Sequence, residues 1–319
     1  MRLKTLVLNA SEDGFRVAAD LLNQGELVAF PTETVYGLGA SALSERAVAG
    51  IYAAKGRPSF NPLIVHVGDP KDASLYARVD RLAQVAIDTF WPGPLTLVLP
   101  RLENCVLVPA VSAGLDSVAL RMPNHPAALS LLRASGLPLA APSANPSGGV
   151  SPTTAAHVRD GLGGKISAIL DDGPCPVGLE STVLSLTDTH ARLLRPGAIS
   201  RDALQAALGQ TVEVPGDEDV PSAPGQLVSH YAPSARVVLD ASVRPKGALW
   251  LGFGPASLEA DISLSEAGDL SEAAARLFGA LRELDDMAEP DQIIAVAPVP
   301  EMGLGVAIND RLRRAAAPR

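Results

Sequence analysis

The sequence predicts an α/β protein: a large first domain on a largely buried sheet, followed by a second, smaller α/β domain. Three observations lead there. Helical apolar periodicities alternate with short apolar runs over the first two thirds of the chain. Those runs are bounded by Gly, Pro, Ser or Asp, as strands of a covered sheet are. Between Val214 and Pro233 the texture changes to PGDEDVPSAPGQLVSHYAP, rich in Pro, Gly and acidic residues and without periodicity, which reads as a linker. The expected division is a first domain over 1–213, a linker over 214–234 and a small domain over 235–319.

The predicted helices of the first domain are Glu12–Asn23, Glu45–Ala54, Arg81–Phe90, Pro126–Ala134, Thr153–Arg159 and Arg201–Leu208. Ser11, Ser44, Asp80 and Ser200 stand where an N-cap oxygen would accept from the first free backbone N–H groups. The predicted strands are Glu26–Phe30, Leu63–Val67, Leu95–Leu99, Ser117–Arg121, Leu137–Ala141, Ala168–Leu170, Thr182–Leu186 and Arg192–Leu194. In the small domain, Arg236–Leu239, Ala248–Gly252 and Gln292–Ala297 read as strands, and Glu272–Asp285 and Val306–Ala317 as helices.

Composition narrows the function. With 47% hydrophobic and only 4% aromatic residues, the interior must be built from aliphatic side chains, and stacking platforms for single-stranded nucleic acid are scarce. A formal charge of −9 argues against coating nucleic acid through its phosphates. Cys105 and Cys175 form no CxxC pattern, so neither a zinc site nor a redox pair is indicated. No run approaches the roughly 18 apolar residues that span a bilayer, and the expectation is a cytoplasmic protein with no membrane partner.

Polar chemistry is concentrated after apolar runs. FPTETVYGLGA, from Phe30 to Ala40, places two threonines, a carboxylate and two glycines in what reads as the loop after a buried strand. Gly37-x-Gly39-x-x-Ala42 imitates a dinucleotide fingerprint but lacks the acidic residue that would meet a ribose, and Gly161–Lys165 lacks the Walker spacing. Lys55 and Arg57 close a predicted helix, where they suit either the helix dipole or a phosphate. Arg121 and Arg195 emerge at strand ends, and four cations at element termini suit an anionic ligand. The clusters around Ser143–Gly148 and Gly178–Thr182 are either turns or sources of hydroxyl and amide donors. His66, on an apolar strand, is either a core group or part of a site.

Together, FPTETVYGLGA, KGRPSFNPLIVHV, WPGPLTLVL, VALRMPNHP, APSANPSGGVSPT, GLESTVLSL and LRPGAIS closely resemble the L-threonylcarbamoyladenylate synthase, or YrdC-like, family, in its order, from about Glu26 to Ser200. GQLVSHYAP and GLGVAINDRLRRAA resemble its long, two-domain form. The resemblance implies a twisted mixed sheet of YrdC-like type around a positive groove, with a Rossmann-like C-terminal domain tethered by a linker that closes over the nucleotide. It implies condensation of L-threonine, bicarbonate and ATP to threonylcarbamoyl-AMP and pyrophosphate, the first step of threonylcarbamoyladenosine formation on tRNA. Mg²⁺ would be bound through the ATP phosphates rather than by a protein metal site. Downstream proteins would transfer the group to tRNA, with at most weak tRNA contact here.

Carried over by position, Thr34, His66, Arg121, Ala141 and Ser181 resemble the threonine-contacting set. Arg57, Asn61, Ser117, Ser143, Ser151, Arg195 and Tyr231 resemble the nucleotide-contacting set, with Asn145 in the same turn as Ser143. Lys55 and Arg57 are the expected catalytic pair, facing phosphate. The linker departs from the commoner family pattern: Gln226, Leu227, Val228 and Ser229 stand where a methionine and basic residues usually precede His-Tyr-Ala-Pro. Two other readings compete, carbamoyl transfer through a carbamoyl-adenylate and noncatalytic binding of double-stranded RNA.

Overall fold

The computed structural model describes residues 4–188, 190–216 and 229–318. The middle of the predicted linker, including Gln226, Leu227 and Val228, lies outside the described residues.

The first unit holds strands β1 (Leu6–Asn9), β2 (Val28–Phe30), β3 (Gly37–Ser41), β4 (Ile64–His66), β5 (Leu95–Pro100), β6 (Ser117–Arg121), β7 (Leu139–Ala140), β8 (Ala168–Asp171), β9 (Thr182–Ser185), β10 (Ala191–Arg195) and β11 (Val212–Glu213). They form one mixed sheet in the order β1-β8-β2-β3-β7-β4-β6-β5-β9-β10-β11. Its helices are α1 (Glu12–Asn23), α2 (Glu45–Lys55), α3 (Ala73–Tyr76), α4 (Arg81–Phe90), α5 (Pro126–Ser135), α6 (Ala155–Leu162) and α7 (Arg201–Leu208). The four proposed N-caps all act as such: Ser11, Ser44, Asp80 and Ser200 accept from the amides of Gly14, Ala47, Ala83 and Ala203.

One expectation needs correction. Gly37 and Gly39 are not in a loop: GLGAS is β3, returning antiparallel along β2 with Phe30 opposite Gly37 and Val28 opposite Gly39. The glycines leave room for an aromatic ring, since a Cβ on Gly39 would stand 2.8 Å from the Phe30 ring edge. The polar loop is therefore only Pro31–Tyr36, a tight connection between two buried strands.

The second unit is a parallel sheet of β12 (Arg236–Val238), β13 (Leu249–Gly252), β14 (Ile262–Ser263) and β15 (Ile293–Val296), in the order β12-β15-β13-β14. Helices α8 (Leu270–Met287) and α9 (Leu304–Ala316) pack on it and on each other. Along β13, Leu249 and Leu251 face the helices while Trp250 joins a separate cluster on the other face, as period-2 alternation requires.

The two units share a core. Val35, Val150 and Leu179 of the first unit and Tyr231 of the linker pack into the apolar cluster of the second. Gly178, at φ = +75°, lies so close to α8 that a Cβ there would meet the Ala275 Cα at 2.4 Å.

Candidate active site

Strand ends position the site. β4 and β6 run parallel with His66 opposite Arg121, so both residues leave the sheet at the same carboxyl end, where ligands of α/β sheets gather. β7 lies antiparallel to β4, and the amide of Ala141, just past it, donates to the Ile64 carbonyl at 2.8 Å. Arg195 closes β10 and Ser181 precedes β9. The Arg195 guanidinium donates from Nε to the Ser181 carbonyl at 3.1 Å and from Nη2 to its hydroxyl at 3.2 Å. That hydroxyl also lies 2.7 Å from Thr96 Oγ1.

In the Pro31–Tyr36 loop, Thr32 Oγ1 accepts from the backbone N–H groups of Thr34 and Val35 at 3.2 Å and lies 2.8 Å from the Thr34 hydroxyl. Glu33 turns to Arg121, Oε2 to Nη2 at 2.8 Å, and both side chains are almost wholly buried. The sequence shows Glu33 only as the carboxylate of the FPTETVYGLGA run and gives it no partner. Here it fixes the orientation of Arg121, while Arg121 Nε keeps no hydrogen-bond partner among the described residues.

Arg57 follows the left-handed C-cap Gly56 of α2 and folds over its own loop. It donates to the Asn61 side chain at 2.6 Å and to the Pro62 carbonyl at 2.8 Å. Burial lowers the guanidinium to about 10, which leaves it cationic at neutral pH. Burial, and then the nearby Arg121, lower His66 to about 3, so its ring is neutral, and its Nδ1 has no partner among the described residues.

Lys55 does not reach the cavity as expected. Its Nζ is buried and donates to the carbonyls of Ser143 and Asn145 at 2.5 Å each. Burial, with Arg57 nearby, pushes the amine well below its ordinary range. Its position is that of a brace under the Ser143–Asn145 turn.

His230 and Tyr231 close the front. Tyr231 is buried, takes the left-handed φ of +62°, stacks on Phe278 of α8 with centroids 5.5 Å apart, and meets the edge of the His230 ring at 4.1 Å. Burial raises its phenol and lowers His230 to about 3.

Arg57, His66, Arg121, Ala141, Ser143, Ser181, Arg195 and Tyr231 line one cavity, together with Thr32, Glu180 and His230. With His230 and Tyr231 in place it measures about 50 Å³, far below the roughly 300 Å³ at which ligand pockets begin. With His230 and Tyr231 among its walls, so small a space has room for only about one or two water-sized groups. The other predicted residues stand behind or beyond the walls. Thr34 is fully buried within its own loop, against the Thr32 hydroxyl, and Asn61 is bound to Arg57. Asn145 ties its turn to the Pro146 and Gly149 carbonyls, and Ser151 donates to Glu180 at 2.5 Å. Ser117 begins β6, at the opposite end of that strand from Arg121.

Sequence reading also passed over Glu180, His230 and Arg311. For Arg311 a signal existed: Ile308, Arg311, Leu312 and Ala315 follow the i, i+3, i+4, i+7 spacing of a buried helix face, so an arginine stands in an apolar stripe.

Among the described residues no three His, Cys, Asp or Glu side chains form a metal-binding group. The carboxylates nearby are taken by arginines, Glu180 in the cavity wall by Arg311 and Glu33 behind it by Arg121. Among the described residues, those around the cavity therefore do not fit a dedicated magnesium site.

Comparison with known proteins gives a consistent picture. Residues 20–197 match the family profile described as "Telomere recombination", and residues 199–317 the one described as "Threonylcarbamoyl-AMP synthase, C-terminal domain". The chain is 41% identical to a threonylcarbamoyl-AMP synthase of Pyrococcus abyssi, over 98% of this chain and 97% of that protein. It is 43% identical to one of Bacillus subtilis, over 98% and 95%. The crystal structure of P. abyssi Sua5 complexed with L-threonine superposes with a TM-score of 0.90 at 40% identity, covering 98% of both chains.

Proposed function

The chain belongs to the threonylcarbamoyl-AMP synthase family in its two-domain form, and from that premise we propose that its cavity seats L-threonine at His66 and Arg121 and the ATP phosphates between Arg57 and Arg195. It is an enzyme of the nucleotidyltransferase type that uses ATP. The observation carrying the residue assignment is the convergence of three arginines, two neutral histidines and the hydroxyls of Thr32, Ser143, Ser181 and Tyr231 on one enclosed space.

Arg121, steadied by Glu33, offers its remaining donors to the threonine carboxylate. The neutral His66 ring lies beside it and adds no charge against the amino group. Ala141 and Ser181 complete that half, with Thr34 bracing its own loop through Thr32. The threonine nitrogen attacks the bicarbonate carbon with loss of water. An oxygen of the resulting carbamate then attacks the α-phosphorus, and the bond to pyrophosphate breaks. No side-chain nucleophile is needed, so rate comes from positioning and charge stabilisation. Arg57 and Arg195 supply the charge, Ser143 a hydroxyl, and Lys55 acts through the Ser143–Asn145 turn. Asn61, Asn145 and Ser151 support these groups from behind. Magnesium would come with the phosphates.

The product's labile phosphoric–carbamic anhydride suits a downstream transfer to tRNA by other proteins in the cytoplasm. Among the described residues no helix is long and apolar enough to cross a membrane. Pyrophosphate release by the full chain tests the reading. Release should require both L-threonine and bicarbonate, and release undiminished when threonine is omitted would overturn it.

A further inference from the structure

We propose that Arg311, carried by α9 of the second domain, is a positioning residue for this reaction: it clamps from behind the two loops that present Ser181 and Arg195 to the cavity. The inference rests on the functional reading above and adds to it a role for the second domain.

Arg311 is fully buried. Its Nε donates to Glu180 Oε2 at 3.0 Å, and Nη1 donates to the Pro196 carbonyl and to Asp310 Oδ2, both at 2.8 Å. Glu180 immediately precedes Ser181, and Pro196 immediately follows Arg195. One guanidinium from another domain therefore spans the backs of both loops, with its carbon 5.5 Å from the Tyr231 ring centroid. The loops also touch each other, for a Cβ on Gly197 would stand 2.4 Å from the Thr182 nitrogen. A small displacement of one is thus passed to the other.

Stability alone is a weak reason for such an arrangement. A buried ion pair is often no better than an apolar replacement, because desolvation cancels much of the attraction. Geometry accounts for it better. Glu180 lines the cavity near Arg195 and already accepts from Ser151 at 2.5 Å. Burial alone would raise its carboxyl, but Arg311, then Arg195 and Ser151, hold it below the ordinary value. Without Arg311, the remaining cation for Glu180 is Arg195, and pairing there would draw Arg195 away from Ser181 and from the phosphates.

The test uses full-length Arg311→Met, Arg311→Lys and the double variant Glu180→Gln/Arg311→Met. Pyrophosphate release gives kcat and the KM values for ATP and threonine, calorimetry gives ATP binding alone, and melting curves report folding. Arg311→Met should lower kcat/KM for ATP by about 10²-fold, as a misplaced catalytic group does, and weaken ATP binding. Arg311→Lys, which keeps the charge but loses the fork, should fall between it and wild type. The double variant should recover part of the loss, because a neutral amide in place of the Glu180 carboxylate no longer pulls Arg195. Wild-type ATP parameters in Arg311→Met overturn the proposal, as does a double variant worse than the single. If Arg311→Met does not fold, wild-type behaviour of Arg311→Lys overturns it instead. Should wild type release no threonine-dependent pyrophosphate, the functional reading fails, while the ATP-binding comparison still decides whether Arg311 sets Arg195.

Discussion

Buried histidines give this protein a definite response to acid. His66 and His230 titrate near 3 in the folded chain because burial disfavours their charged forms, against about 6.5 in an unfolded one. Below about 6.5 the unfolded state binds more protons, so stability is full above that pH and falls as pH descends toward 3. Each of the two adds at most about 1.4 kcal/mol per pH unit to the slope. Chemical denaturation between pH 7 and pH 4 should show this loss, and His66→Asn should flatten it. An unchanged slope in that variant would mean that His66 is protonated in the fold.

Lys55 and Arg57 separate at the same scale. Removing the Lys55 amine leaves the Ser143 and Asn145 carbonyls buried without their donor, at about 1–3 kcal/mol for each. Lys55→Ala should therefore lower the melting temperature as well as pyrophosphate release. Arg57→Ala should mainly raise the KM for ATP. Equal melting temperatures for Lys55→Ala and wild type would contradict the brace. Arg121 and Arg195 are legible as site candidates because a strand's end is visible in sequence, whereas His66, inside the predicted strand Leu63–Val67, stays open there between core and site. The partners of the arginines are not legible. Glu33 meets Arg121, and Glu180 meets Arg311, only after the sheet has assembled.

Elements with visible caps are the ones sequence locates closely. Helices α1, α4 and α7 and strand β6 keep the predicted bounds, because Ser11, Asp80, Ser200 and the apolar run ending at Arg121 are local signals. β3 escapes such reading because GLGAS carries no β-branched residue and two glycines. It is a strand through pairing with β2 and β7 rather than through propensity. β1, β11 and β14 are likewise short pairs whose partners are distant or sparse in sequence signal. The cramped β2–β3 hairpin makes Gly39→Ala a sharp probe: the new Cβ must displace the Phe30 ring, at about 1–3 kcal/mol. Denaturant titration should register that cost, and a neutral effect would show that the ring yields freely.

Across the whole molecule, the second domain packs against the elements behind the site rather than hanging beside them. Tyr231 is held between Phe278 and Arg311, α8 presses on Gly178, and the Arg282 guanidinium donates to the Val150 carbonyl. A bulky residue at Gly178 should separate the domains. Gly178→Leu is expected to enlarge the radius measured by small-angle X-ray scattering and to lower pyrophosphate release, and a compact, fully active variant would refute the coupling.

A crystal structure of the full chain with L-threonine and a non-hydrolysable ATP analogue tests the central claim most directly. The threonine carboxylate should lie on Arg121 beside His66, and the phosphates between Arg57 and Arg195, with Tyr231 moved outward. Threonine and nucleotide in separate places, or phosphates away from both arginines, would contradict it.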